Sequence, residues 1–222
     1  MSDSNNIGGI NVGPTPQVAW LQKNWFKVTL GVIAAILLIW IWSSYNGLVR
    51  SYMAVNQSGA DLAAQYQRRM DMIPNLVKIV EASGLQERDT LREVTEARAS
   101  ATKMVLDPSK MTAADMQRLQ DQQGQLGMAL GRLMVASERY PQLQSIAGFR
   151  QLQSQLEGTE NRIAVARRDY NRVATGFNTA IAVFPSNVIN NSFNRYPPVA
   201  LFKEEAGAAS APQIQFNSPA KR

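Results

Sequence analysis

The chain has 222 residues, a net charge of +6, and neither cysteine nor histidine. Those two absences exclude disulfide frameworks, thiolate metal sites, cysteine nucleophiles, Ser-His-Asp and Cys-His catalysis, the usual zinc sites and the Glu-x-x-His di-iron motif. Between Arg50 and Phe184 the 17 Lys/Arg and 14 Asp/Glu are interspersed, which describes a solvated mixed surface and not a stripe that tracks phosphates, so nucleic acid is not an expected partner.

Residues 1–22 are polar, with Gly8, Gly9, Gly13, Pro14 and Pro16, and predict a flexible tail. A transmembrane helix is expected over residues 23–45. Its core from Val28 to Trp42 reads VTLGVIAAILLIWIW, and no charged residue stands between Val28 and Val49. All four tryptophans bracket it: Trp20 and Trp25 at one end, Trp40 and Trp42 with Tyr45 at the other. Their rings suit the bilayer interface, where an apolar body and a polar N–H or O–H are both satisfied. From Trp25 to Trp42 a helix rises about 25 Å, close to the hydrocarbon thickness of a bilayer. A cleaved signal peptide would need a short basic start and a small-residue cleavage site; here 27 residues precede the apolar core and Trp-Ile-Trp-Ser-Ser-Tyr follows it. Lys23 and Lys27 precede the span and Arg50 follows it, so the positive-inside rule puts the N-terminus in the cytoplasm and the rest of the chain on the periplasmic or outer side.

Residues 46–185 read as an antiparallel four-helix bundle, with helices over about 46–83, 86–106, 112–139 and 144–184. In the first, Tyr45, Leu48, Tyr52, Val55, Gly59, Leu62, Tyr66, Arg69, Ile73, Leu76 and Val80 keep the 3–4 alternation of left-handed coiled packing. The seam starts at the span, so span and first helix are expected to be one rod, closed by Gly84 as a C-cap glycine. Leu91, Val94, Ala97, Ala101 and Met104 form the face of the second helix, which Asp107-Pro108 ends. Thr112 and Asp115 make a capping-box arrangement before the third, in which Leu119, Leu126, Leu133 and Tyr140 recur every seven residues until Tyr140-Pro141. The fourth repeats Phe149, Leu156, Ile163, Tyr170, Phe177 and Phe184 every seven, with Thr159 interrupting the second seam.

Up-down-up-down connections bring the fourth helix back to the start of the first, with residue numbers of facing partners summing to about 229. Tyr170 should then lie over Gly59, and Arg69, a charge on an apolar seam, should meet Glu160 in a partly buried ion pair. Gly124, Gly127 and Gly131 form no phosphate loop and suggest close helix–helix approach, while Met104, Met111, Met116, Met128 and Met134 read as core and gap filler. Pro74 lies inside a helical pattern and frees the carbonyl of Met70. The functional reading there is a polar site of Arg68, Asp71 and Asn75 at a kink; the plainer one is a structural bend with solvated charges. Residues 186–206 are not helical by pattern, and Phe193, Tyr196, Val199, Leu201 and Phe202 are too apolar for a free tail. They either pack along the bundle as an extended segment or dip into the membrane interface. Residues 207–222 read as a second flexible tail.

The strings Tyr45-Asn46-Gly47-Leu48-Val49, Gln67 to Val77 (QRRMDMIPNLV), Val94 to Ala99 (VTEARA), Arg168-Asp169-Tyr170-Asn171 and Phe184-Pro185-Ser186-Asn187, in this order and spacing, resemble the LemA family. The resemblance covers about residues 45–205. It implies an N-terminal membrane span in the bacterial inner membrane and an antiparallel helical bundle. It supplies no reaction and no cofactor. Membrane organisation is a role it suggests, since a family member acts in forming magnetosome membranes. The reading is therefore a non-enzymatic scaffold or membrane-organising factor. Its expected partners are the lipid bilayer, an unidentified membrane or periplasmic protein, or further copies of itself. The alternative is an accessory subunit of a membrane protease or transporter.

Overall fold

The computed structural model describes residues 16–84 and 87–203, with side chains from Asn24 onward. The chain divides into two units at Gly47/Leu48. Among the described residues every regular element is helical. Residues 1–15 and 204–222 lie outside the description, and with them most of the two expected tails.

The first helix, α1, spans Pro16–Ala82. It therefore includes residues 16–22, which composition alone assigned to the tail; Pro16 stands at its first position, where a missing N–H costs nothing. In the first unit the side chains of Trp25, Leu30, Ile33, Leu37, Ile39 and Trp42 are all exposed. Thr29, a hydroxyl inside this apolar stretch, turns back and donates to the Trp25 carbonyl at 2.7 Å, which satisfies it without water.

The second unit begins at Leu48. Along α1 the seam residues Leu48, Val55, Leu62, Tyr66, Arg69, Ile73, Leu76 and Val80 are all buried. Gly84 adopts φ +74° just past the helix end, a left-handed conformation that a side chain would strain. Helix α2 spans Arg88–Ala101 and α3 spans Ala113–Ser137. The capping box opens α3 as expected: the Thr112 hydroxyl accepts from Asp115 N–H and the Asp115 carboxylate accepts from Thr112 N–H. Then come α4 (Pro141–Ser145), α5 (Ala147–Ala182), a short α6 (Ser186–Ile189) and a π-helical turn at Asn190–Asn194. Residues 195–203 run without regular structure.

Several boundaries differ from the sequence reading. Helix α2 stops at Ala101, not 106, because Leu106 and Pro108 turn back into the core. Pro108 and not Tyr170 fills the space over Gly59 first; its Cγ and Cδ press where a Cβ would stand, and Tyr170 follows at 3.7 Å. The expected helix 144–184 is two: Ile146 is extended between α4 and α5. Phe184 leaves the heptad, since α5 ends at Ala182 and Val183 is extended ahead of Pro185, the residue that stops the helix. Residues 186–194, read as extended, are helical turns. Met116 is core, while Met128 is 59% exposed. Gly124 and Gly131 face open space and Gly127 faces only the Arg69 guanidinium at 3.9 Å, so these glycines do not bring helix backbones together.

Contacts between the long helices run in opposite directions. Between α1 and α5 they join Tyr52 to Phe177, Arg69 to Glu160 and Ile79 to Gly148. Between α2 and α3 they join Glu87 to Tyr140 and Glu93 to Arg132. The core falls into two clusters. One holds Leu62, Tyr66, Leu119, Ile163, Tyr170 and Phe177; the other holds Ile73, Leu76, Leu126, Leu133, Phe149 and Leu156. Between them, at one level of three helices, stand Arg69, Gln123 and Thr159 with Glu160.

Candidate functional site

The polar layer is built around Arg69, whose side chain is 2% exposed. Its Nη1 donates to Glu160 Oε2 at 2.6 Å. Its Nη2 donates to the Gln123 carbonyl at 3.2 Å and to Gln123 Oε1. The guanidinium carbon stands 5.8 Å from the Tyr66 ring centre, within cation–π range. Nε is buried without a hydrogen-bond partner. The pair is lopsided: Gln123 is 2% exposed, but the Glu160 side chain is 56% exposed, so its charge is partly screened by water. Glu160 and Arg69 close one side of a surface cleft of about 300 Å³ lined also by Gly127, Met134 and Gln153. Burial pushes the Tyr66 hydroxyl above its ordinary pKa, with Arg167 and Arg69 partly opposing it.

Pro74 leaves the Met70 carbonyl without its helical donor, and Arg98 of α2 supplies one: Nε donates to Met70 O at 3.0 Å. Arg68, Asp71 and Asn75 are exposed. Asp71 accepts from Gln67 at 2.7 Å, so these residues do not converge on Arg69, which points inward. Of the interfacial set, Trp25, Trp40, Trp42 and Tyr45 are exposed. Trp20 lies in α1 with its side chain outside the description.

A second constellation follows the first of the two courses expected for the aromatic segment, packing along the helices, and its side-chain clamps carried no expectation. Residues 196–203 lie against the helices as a strap, gripped by side-chain amides that bond one residue's N–H and C=O together. Asn190 does this to Tyr196 at 2.9 and 3.0 Å. Asn178 does it to Val199, both at 2.9 Å. Asn171 holds Phe202 at 3.0 and 2.9 Å, and Gln120 holds Lys203 at 3.1 and 2.9 Å. The intervening Pro197 and Pro198 have no N–H to satisfy. The Tyr170 hydroxyl donates to the Ala200 carbonyl at 2.8 Å, and burial pushes its pKa up to about 12. Tyr196 stacks on Tyr52 with ring centres 4.3 Å apart, and Val199 and Phe202 are buried. The aromatic segment thus packs on the helices at Tyr196, Val199 and Phe202, while Phe193 and Leu201 stay exposed.

The sequence did carry signals for parts of this. Gln123 sits between Leu119 and Leu126 at seam spacing, and Asn171 and Asn178 are seven apart on one stripe of α5. Arg98 carried none, because only the tertiary fold brings it to Met70.

A family model described as the LemA family matches residues 58–216. The chain belongs to the LemA family. The match contains the Arg69 layer and the whole strap, and begins after the apolar stretch. Protein LemA of Metamycoplasma hominis is 25% identical to this LemA-family chain over 179 residues, 80% of this chain and 75% of that protein. Magnetosome protein MamQ of Magnetospirillum gryphiswaldense is 26% identical over 158 residues, 64% of this chain and 58% of that protein. Magnetosome protein MamQ 2 of Paramagnetospirillum magneticum is 41% identical over 66 residues, 30% of this chain. The chain thus spans 24% of the length of MamQ 2 and 58% of MamQ. One helix among the described residues is long and apolar enough to cross a membrane. That helix and the magnetosome relatives together support membrane association.

Proposed function

We propose that this LemA-family protein is a non-enzymatic, single-pass protein of the bacterial inner membrane. Its antiparallel four-helix bundle serves as a rigid surface for protein–protein or self-association, as a scaffold or membrane-organising factor. The observation that carries this reading is α1 itself. One 67-residue helix holds an apolar stretch whose side chains are exposed and, from Leu48, the buried seam of the helical unit. The opposed contacts of α1 with α5 and of α2 with α3, joined by short connections, favour the bundle topology. Similarity to proteins named for the magnetosome favours membrane organisation over the accessory-subunit role. The charges around the span favour a bundle on the periplasmic side.

Crosslinking of the full chain in intact cells, followed by membrane fractionation and mass spectrometry, tests the proposal. The protein should resist alkaline carbonate extraction, and crosslinks should join exposed bundle faces of two copies or of one copy and a structural partner. Extraction into the soluble fraction would remove the anchor. A stoichiometric protease or transporter partner would replace the scaffold with the accessory-subunit reading. A turnover abolished by Asp71→Asn or Glu160→Gln with folding intact would overturn the non-enzymatic reading.

A further inference from the structure

The helical unit carries an apolar tip just past α5. Val183, Phe184, Val188 and Phe193 are all exposed there, Phe184 by 74% and Phe193 by 65%. The tip is held in shape. Ile189 is buried beneath it. Asn190 closes it through both hydrogen bonds to Tyr196, and the Arg195 N–H reaches the Asn190 carbonyl at 2.6 Å. Arg195 itself takes a left-handed φ of 50°, uncommon for a residue with a side chain. Covering the exposed area of these side chains with another apolar surface would be favourable.

The position of the tip indicates which surface. Phe177, about one and a half turns before the end of α5, packs on Tyr52 and shares a core cluster with Leu48. The tip therefore lies at the end of the unit where the chain enters. Trp42 precedes Leu48 by six residues, which span at most about 20 Å in any conformation. That end is tethered close to the bilayer whatever the angle between the two units. Residues 183–203 contain Arg195 and Lys203 and no acidic residue, with Glu204 and Glu205 following. The charge on the tip itself suits anionic headgroups. A second copy is a poorer occupant. Four partly exposed side chains offer on the order of 400 Å², about half of what one partner contributes to a stable dimer.

We propose that residues 183–195 insert into the interfacial layer of the bilayer as a lipid contact additional to the span. Phe184 and Phe193 are the apolar anchors, and Arg195 lies at the headgroup phosphates. This rests on the membrane-anchor reading. The chain has no cysteine, so single cysteines can be placed without background. Ser192→Cys on the tip, Ser145→Cys and Ile36→Cys would each carry an environment-sensitive fluorophore in the full chain, reconstituted into vesicles containing anionic lipid. Ser145 ends α4, close in sequence to the Gly148–Ile79 contact; along α1 Ile79 is about 45 Å from Leu48. Nitroxide-labelled lipid should quench the probes at 36 and 192 and leave the probe at 145 unquenched. Quenching at 192 should fall several-fold in Phe184→Ser/Phe193→Ser. A probe at 192 as unquenched as that at 145, with 36 quenched, overturns the tip and leaves the anchor standing. A probe at 36 that escapes quenching overturns both. A probe at 192 shielded only at high protein density, and not by lipid, assigns the tip to a protein neighbour and overturns the proposal.

Discussion

Removing the Arg69 side chain would leave two unlike residues behind. Glu160 is 56% exposed and can rehydrate; Gln123 is 2% exposed and cannot. Arg69→Met should therefore destabilise by about 2–4 kcal/mol, with most of the loss from the stranded Gln123 amide and the altered packing. Adding Gln123→Leu should recover about 1 kcal/mol. Glu160→Gln should cost only about 1 kcal/mol because water already screens that carboxylate. Urea unfolding in detergent, followed by circular dichroism, measures all three, and a double-mutant cycle between Arg69 and Glu160 without coupling would contradict the pairing. The Arg69–Glu160 partnership was legible from the seam because both residues lie on long helices of regular period. Gln123 was not, since a pattern within one helix does not say which third helix meets it at that level. The buried tyrosines predict a pH response. Burial raises Tyr66, and raises Tyr170 to about 12, so the folded state holds these protons more tightly than the unfolded chain. Their contribution to stability is full below about pH 10 and is lost as pH rises from there toward about 12. Absorbance titration in the near ultraviolet should show two of the six tyrosines ionising late, and Tyr170→Phe should remove one of them.

At the scale of elements, most helices were readable because a 3–4 alternation is a local property, and the Thr112–Asp115 cap and the Gly84 stop are local too. The end of α2 was not readable: it depends on Pro108 docking at Gly59, far earlier in the chain. Helix α1 passes through Pro74 without ending because Arg98 takes the orphaned Met70 carbonyl. Arg98→Ala should then cost about 1 kcal/mol in the native background, and less in Pro74→Ala, where the substituted residue supplies the helical N–H instead. Equal costs in both backgrounds would separate Arg98 from the proline. The strap depends on amides that donate and accept at once. Asn178→Asp keeps the shape but cannot donate to the Val199 carbonyl, and it faces that carbonyl with a negative charge. Hydrogen exchange should show the amides of Tyr196, Val199, Phe202 and Lys203 protected in the native protein. In Asn178→Asp, Val199 should lose protection while the α1 and α5 cores keep theirs. The strap's place was half legible: its apolar residues required a surface, but which of them turned inward was set by amides on three other elements.

Across the helical unit, one polar layer divides two apolar cores, and its stabilising contribution differs from its effect on register. The seams of α1 and α5 are near-periodic, so sliding one past the other by a heptad would still bring apolar side chains together. What such a slip cannot preserve is the meeting of Arg69 with Glu160 and Gln123; seven residues either way, the buried cation would stand at the level of Leu152 and Gln153 or of Ala166 and Arg167, without its carboxylate and at a heavy desolvation cost. The layer is thus expected to specify register more than to add stability, as single polar residues do in coiled coils. Replacing it whole, with Arg69→Met and Gln123→Leu at the buried positions and Glu160→Gln at the exposed one, should leave the urea midpoint unchanged or raised, because apolar residues at the buried positions replace a charge whose Nε already lacks a partner. The same variant should lose its single alignment. Spin labels at the exposed positions Gln57 on α1 and Arg172 on α5, which stand at the same level in the observed register, should give one narrow distance in the native protein and a broadened or split distribution in the triple variant. A single narrow distance retained in the variant would mean that packing alone sets the register. A large fall in the midpoint would mean that the layer is needed for stability itself.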